Sequence, residues 1–431
     1  MPMIGLIDCN NFYVSCERAF QPRLEGMPVG VLSNNDGCVI ARSNELKALG
    51  VAMGTPAFEL QPLFRQRRIA LLSSNYELYG DMSSRVQQVL EEFSAGVEPY
   101  SIDEMFVRFD GFAPEQMHRH AQELFTKVRR FTHIPVSVGI APTRTLAKLA
   151  NRAAKTLPDG GASRHGGVCV LRPDGAIYEP LLRQVELGDV WGVGRRLAER
   201  LALMGVRSAW DLARADPKRV RQRFSVTLER TCLELKGTPC LEMKDPGEAR
   251  QRIMTSRSFG RMTDSREEIH QAIRQFAQRS AEKLRRQGSL ARAVYVFLKT
   301  NRHRPDLPQY SPGAMVELPC PTDDSRDILQ AVSQAFAAIY RPRYRFMKAG
   351  VMLVDLVDAN RAQLSLLDTP ESQARRERRD RLMATLDALN QRMGRGTVTF
   401  GRASPRAAWQ LRCANRTPRW TTRWDELPRL R

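Results

Sequence analysis

Tyr100-Ser101-Ile102-Asp103-Glu104-Met105-Phe106-Val107 sets two adjacent acids inside an apolar, strand-like run. A second run, Met3-Ile4-Gly5-Leu6-Ile7-Asp8, closes on an acid and leads into a polar turn, Cys9-Asn10-Asn11. Unpaired carboxylates within an apolar strand are expensive, so both runs read as strand ends that expose their acids at one place. Three acids from two strands can hold two Mg²⁺ ions roughly 3.5–4 Å apart, on either side of the attacking and leaving oxygens of a phosphoryl transfer. Spacing alone leaves ordinary strand-end acids as the alternative, because oxygen-ligand sites are loosely encoded in sequence.

The composition narrows the setting. A chain of 431 residues is too long for one ordinary core and predicts several domains. Its 67 Lys and Arg against 47 Asp and Glu give a formal charge of +20, which favours a polyanion, nucleic acid first. An anionic membrane surface could use the same charge, but that reading wants an amphipathic anchor or a spanning segment, and no apolar run approaches the roughly 18 residues a span needs. Met1-Pro2-Met3-Ile4 leads straight into the acidic strand end without a signal pattern, so a cytoplasmic location is expected. The eight cysteines show no CxxC and no paired Cys/His spacing, and read as reduced, structural thiols. His118 and His120 lie about 200° apart on a helix, which argues against a shared metal and predicts surface residues.

Along the chain, Phe12, Cys16, Ala19 and Phe20 have a helical period that Pro22 stops. A strand over 29–32, a turn at Asn34-Asn35-Asp36-Gly37 and a helix over 43–49 follow. Larger elements come next: helices near 81–93 and 114–131, a strand over 136–140 and a helix over 143–155. At Val190-Trp191-Gly192-Val193-Gly194-Arg195-Arg196 a Gly-Val-Gly turn opens a helix, and Ser208 caps another over 209–214. Beyond a charged linker, 242–250, the order is strand, helix, strand, strand, helix, strand, from 253 to 356. From Glu371 onward fifteen Arg face six acids, Leu382, Leu386, Leu389 and Met393 fall at helical spacing, and Trp409, Trp420 and Trp424 lie among basic residues. A disordered basic tail would carry neither an apolar stripe nor tryptophans, so a small folded unit or docking surface is predicted.

The segments Asp8–Glu17, Ser33–Arg42, Ser74–Tyr79 and Tyr100–Glu104 follow one another as they do in Y-family, lesion-bypass DNA polymerases. The chain resembles that family over essentially its whole length, and most of all its UmuC branch with the plasmid-borne relatives. The resemblance implies an α+β, multi-domain right-hand polymerase: a palm over 1–12 and 80–166, small fingers over 13–79, a helical thumb with a helix-hairpin-helix over 167–241, a little finger over 250–357, and a basic C-terminal extension over 358–431. It implies that Asp8, Asp103 and Glu104, with the carbonyl of Cys9, hold two Mg²⁺ ions. Lys47 and Lys155, with the N–H groups of Asn11, Phe12 and Tyr13, match the positions that receive the triphosphate. Tyr13 is the implied steric gate against a 2′-hydroxyl, an ordinary core aromatic being the alternative. Asn44 and Asn11 depart from archaeal members, which often carry aromatic residues there, and agree with the UmuC branch.

The further implications concern DNA and partners. Gly192, Val193, Gly194 and Arg195 would meet a DNA phosphate without reading bases. Lys299, Arg302, Arg304 and the run Arg341-Pro342-Arg343-Tyr344-Arg345 favour contacts to the DNA backbone. Gln363, Leu364, Leu366 and Leu367 resemble a sliding-clamp peptide, a local packing strand being the alternative. Primer-template DNA, deoxynucleoside triphosphates, a processed UmuD-type dimer and a RecA filament complete the implied partners, with a cytoplasmic, nucleoid-associated location and no membrane. The implied activity is error-prone translesion synthesis in the SOS response, without proofreading, since small fingers add little induced-fit discrimination. Two rivals are a nucleotidyl cyclase, which would need neither thumb nor little finger, and a damaged-DNA binder with an inactive palm, against which the three intact acids count.

Overall fold

The computed structural model describes residues 3–66, 69–94, 96–156, 167–243, 249–361, 370–394, 396–401, 409 and 411–427. The chain forms two compact units, Met1–Glu248 together with Ala414–Arg431, and Ala249–Cys413. In the first unit the strands are β1 (Ile4–Cys9), β2 (Val29–Leu32), β3 (Val39–Arg42), β4 (Ala70–Ser73), β5 (Val97–Pro99), β6 (Glu104–Arg108), β7 (Val136–Ala141) and β8 (Val168–Val170). They make one sheet in the order β5-β6-β1-β7-β8 and a smaller one in the order β3-β2-β4.

Strand β1 sits mid-sheet, antiparallel to both β6 and β7. Its side chains alternate between two cores, as the period of a strand requires. Ile7 joins Met105, Val107, Val138 and Ile140 under the helices Tyr76–Glu91 and Pro114–Thr132. Leu6 joins Phe106, Ala147 and Ala150 under the helix Arg144–Thr156, where the helices from Tyr178 to Leu235 also pack. Gly139 lets that helix lie close against β7, because a methyl group there would meet the backbone of Asn151 and Ala147. Asn151 then donates its amide to the carbonyls of Leu6, at 3.0 Å, and Ser137, at 2.7 Å. The helix is thereby keyed to β1 and β7 in one register.

The small sheet β3-β2-β4 closes over Leu32, Val39, Leu46, Val51 and Leu60. Burying a side chain of that size contributes about 1.5–3 kcal/mol, so five make a modest core.

The second unit contains β9 (Ile253–Thr263), β10 (Ser289–Thr300), β11 (Gly313–Thr322) and β12 (Phe346–Asp358), antiparallel in the order β11-β10-β12-β9. The helices Arg266–Gln287 and Ser325–Ile339 cover one face. This is the strand and helix order that the sequence predicts. Arg304 lies in an ion pair with Asp306 at 2.6 Å, so its charge is partly spent within its own loop.

One expectation needs correction. His120 is half-buried, stacks on Phe112 at 4.6 Å and meets the Phe93 carbonyl at 3.3 Å; only His118 is exposed. The helix Pro370–Met393 leaves most of the stripe Leu382, Leu386, Leu389 and Met393 exposed. Leu382, Leu389 and Met393 are exposed, whereas Met383 is buried and Leu386 half-buried. Ion pairs choose the face: Arg285 grips Asp387 through two bonds of 2.7 and 2.8 Å, and Arg379 pairs with Asp324 and Asp327. Among the tryptophans, Trp409 and Trp420 are buried in different units, while Trp424 is 90% exposed. No disulfide joins the eight cysteines. Among the described residues no helix is long and apolar enough to cross a membrane.

Candidate active site

Antiparallel pairing of β1 with β6 sets Asp8 opposite Glu104. The amide of Cys9 donates to the carbonyl of Asp103 at 2.8 Å, which brings the third acid to the same sheet edge. Burial pushes the Asp8 carboxyl above its ordinary range; Lys155 pulls it back, and Glu104 and Asp103 push it further up. The carboxylates therefore lie close enough to repel one another.

Two lysines two turns apart on the helix Arg144–Thr156 answer this charge. Lys155 Nζ meets Asp8 Oδ1 at 2.7 Å, and Lys148 Nζ meets both oxygens of Glu104 at 2.8 and 2.9 Å. Tyr100 supports Lys148 from the side, its ring 4.5 Å from the ammonium, and its hydroxyl accepts from the Trp191 indole at 3.2 Å. Asp103 Oδ1 accepts from the Ser101 hydroxyl at 2.6 Å. With the carboxylates so engaged, no three His, Cys, Asp or Glu side chains among the described residues form a metal-ready group. The donor set nevertheless suits a hard cation, since carboxylates from two strands supply oxygen alone and would gain from its charge.

Asn11 turns the chain from β1 into the helix Phe12–Phe20, with a left-handed backbone (φ 49°) that asparagine tolerates better than most residues. Its carbonyl accepts from Ser15 N, as the first intrahelical bond, so the N–H groups of the first turn have no intrahelical acceptor. Lys47 donates to Asn11 Oδ1 at 2.6 Å, and Asn11 donates to Asn44 Oδ1 at 3.0 Å. Burial lowers the Lys47 ammonium below its ordinary range, Arg42 and Lys155 add to this, and Asp8 opposes it. Cations thus gather beside the acids and at the start of a helix, an arrangement fit for a polyphosphate.

Tyr13 stands on the first turn of the same helix, half-buried. Its ring stacks on Tyr79 at 4.4 Å and 15°, with Tyr76 edge-on at 6.1 Å. Burial pushes its phenol up to about 12, so it stays neutral. Tyr76 and Tyr79 reach the site because the helix Tyr76–Glu91 starts five residues before the predicted 81, with Asn75 at its cap.

Among the helices that follow β8, Gly192 has φ 86° and Gly194 caps the helix Arg195–Ala202. Val193 is buried, while both glycines are exposed, which leaves backbone N–H groups accessible at that helix start. Arg195 pairs with Glu199 at 2.9 Å on the surface. Gln363, Leu364, Leu366 and Leu367 lie outside the described residues. The resemblance points Lys148 and Lys155 of this helix toward the palm; the pairing of Lys148 with Glu104 and of Asn44 with Asn11 comes from the structure alone.

A sequence profile of the impB/mucB/samB family matches residues 7–152, that family's C-terminal domain matches 250–366, and a domain of unknown function matches 380–430. The chain is 43% identical to Protein ImpB of Salmonella typhimurium over 434 residues, covering all of both chains. It is 43% identical to Protein UmuC of Salmonella typhimurium strain LT2 over 430 residues, again over all of both. A solved Y-family DNA polymerase chimera, Dbh-Dpo4-Dbh, superposes with a TM-score of 0.66 at 18% identity, over 83% of this chain and 99% of that one.

Proposed function

The chain belongs to the impB/mucB/samB family, as a Y-family DNA polymerase of the UmuC type, and from that premise we propose that it performs error-prone translesion synthesis in the SOS response by two-metal nucleotidyl transfer. One observation carries the proposal. Asp8 and Glu104 face each other across β1 and β6, Asp103 is tied to the same edge, and Lys155 and Lys148 stand over them.

In this reading the palm spans 1–12 and 80–166, the fingers 13–79, the thumb 167–241 and the little finger 250–357. Asp8, Asp103, Glu104 and the Cys9 carbonyl would hold two Mg²⁺ ions, whose Lewis acidity would lower the pKa of the primer 3′-hydroxyl and screen the triphosphate. Lys47 and the N–H groups of Asn11, Phe12 and Tyr13 receive the triphosphate. The long stem of Lys155 lets one ammonium serve Asp8 or a nearby phosphate. Tyr13 fills the space of a 2′-hydroxyl, and Tyr79 keeps its ring from backing away. Gly192 to Arg195 hold a DNA phosphate, and Gln363, Leu364, Leu366 and Leu367 dock to the sliding clamp. The residues beyond Asp368 are the adaptor surface for a processed UmuD-type dimer and a RecA filament.

Primer extension across an abasic template, with and without that dimer and filament, tests the proposal. Insertion opposite and beyond the lesion in the complete assembly is expected. An absence of template-directed extension under every combination would refute it.

A further inference from the structure

Behind the Tyr13 ring the first unit contains a wall made partly by the far end of the chain. Tyr79 is fully buried, and its hydroxyl donates to Glu17 Oε1 at 2.7 Å. Glu17 lies one turn after Tyr13 on the same helix and is fully buried as well. Its Oε1 also accepts from the hydroxyl of Thr417 at 3.1 Å, and Gln21 approaches Oε2 at 3.4 Å.

The Thr417 segment is held from several sides. Asn75 donates its amide to the Thr417 hydroxyl at 3.0 Å and to the carbonyls of Thr417 and Pro418 at 3.2 and 3.1 Å. Ser73 and Asn415 exchange two bonds, Ser73 N to Asn415 O at 3.1 Å and Asn415 N to Ser73 Oγ at 3.0 Å. Trp420 stacks on Phe20 at 5.1 Å and 13°, at the other end of the Tyr13 helix. Arg419 reaches Glu77 at 3.1 Å. These residues therefore bind both the helix that bears Tyr13 and the helix that bears Tyr79.

We propose that Thr417 is a positioning residue for sugar discrimination: its hydroxyl fixes the Glu17 carboxylate, Glu17 fixes Tyr79, and Tyr79 holds the Tyr13 ring where a ribose 2′-hydroxyl would lie. The proposal rests on the reading of Tyr13 as the steric gate. It gives the last part of the domain of unknown function a task inside the polymerase itself, distinct from any docking surface it offers to partners. A carboxylate buried against hydroxyl and amide donors is costly to leave half-satisfied, so loss of one donor is felt along the whole relay.

The test measures kcat/KM for matched deoxyribonucleotide and ribonucleotide insertion by the full chain, in the assembly that sustains primer extension. Thr417→Val removes the hydroxyl at nearly constant volume and is expected to cut the deoxy-to-ribo ratio by about tenfold, the size of one buried hydrogen bond. Thr417→Ser restores the hydroxyl and the ratio. Tyr79→Phe cuts the relay from its other end and relaxes the ratio similarly, which keeps the test open should Thr417→Val fold poorly. Tyr13→Ala relaxes the ratio further, and adding Thr417→Val to it changes nothing more. If Tyr13→Ala leaves the ratio unchanged, the gate reading fails. If Tyr13→Ala relaxes it while Thr417→Val and Tyr79→Phe keep the wild-type ratio, the positioning role is overturned and the gate stands.

Discussion

Asp8 and Glu17 are carboxylates from the two ends of one β-strand-to-helix junction, and their surroundings differ in kind. Burial raises both above the ordinary range. Asp8 has a cation at 2.7 Å and two further acids beside it, at a sheet edge where the lysines stay partly exposed. Glu17 is sealed, answered by a phenol, a threonine hydroxyl and an amide, and its carboxyl is pushed up to about 7. One place keeps charges that can exchange partners; the other keeps a fixed geometry at some cost in electrostatic energy. The contrast separates the site proposed for transfer from the wall proposed to select what enters.

The largest expected effect breaks the comparison on the Glu17 side. The folded state keeps a proton on Glu17 up to about pH 7, whereas an ordinary carboxyl loses it near 4.5. The folded state therefore binds more protons in that window, and stability falls by about 3 kcal/mol as pH rises through it, with no further change from this group above. Urea midpoints at several pH values should show this slope in the wild type and lose it in Glu17→Gln; parallel curves would remove the buried-carboxylate account.

Next in size is the gate. Tyr13→Ala should lower deoxy-over-ribo discrimination by on the order of a hundredfold, because a steric clash is removed outright. Smaller again, Lys155→Ala should cost about tenfold in kcat/KM for nucleotide insertion with little loss of thermal stability, since the lysine is partly exposed. A fall in melting temperature without a kinetic change would make Lys155 a structural counter-charge to Asp8 alone. The smallest is Arg195→Ala, expected to reduce the slope of log affinity for DNA against log salt by about one. An unchanged slope would take the Gly192–Arg195 turn off the DNA.

The acidic edge was legible because local rules build it. Strand alternation, an acid at one end of each strand and lysines seven residues apart on one helix are all visible within short windows of sequence. The strand and helix order of the second unit was legible for the same reason. The wall behind Tyr13 was not, since Glu17 and Thr417 are 400 residues apart and nothing in either neighbourhood announces the other. The face that the helix Pro370–Met393 buries was not legible, because Asp387 and Arg379 outweigh Leu382 and Leu389, and ion-pair partners on other helices leave no periodic trace. His120 was misread because stacking on Phe112 needs the turn before the helix to fold back.

The most direct test of the transfer site measures primer-template binding and single-nucleotide incorporation side by side on Asp103→Ala and Glu104→Ala. Incorporation should fall by at least about a thousandfold, because removing an acid removes the charge that the reaction's cations need, while the DNA dissociation constant stays within about threefold of wild type. Near-normal incorporation by either variant, or a loss of DNA binding as large as the loss of activity, would contradict the assignment.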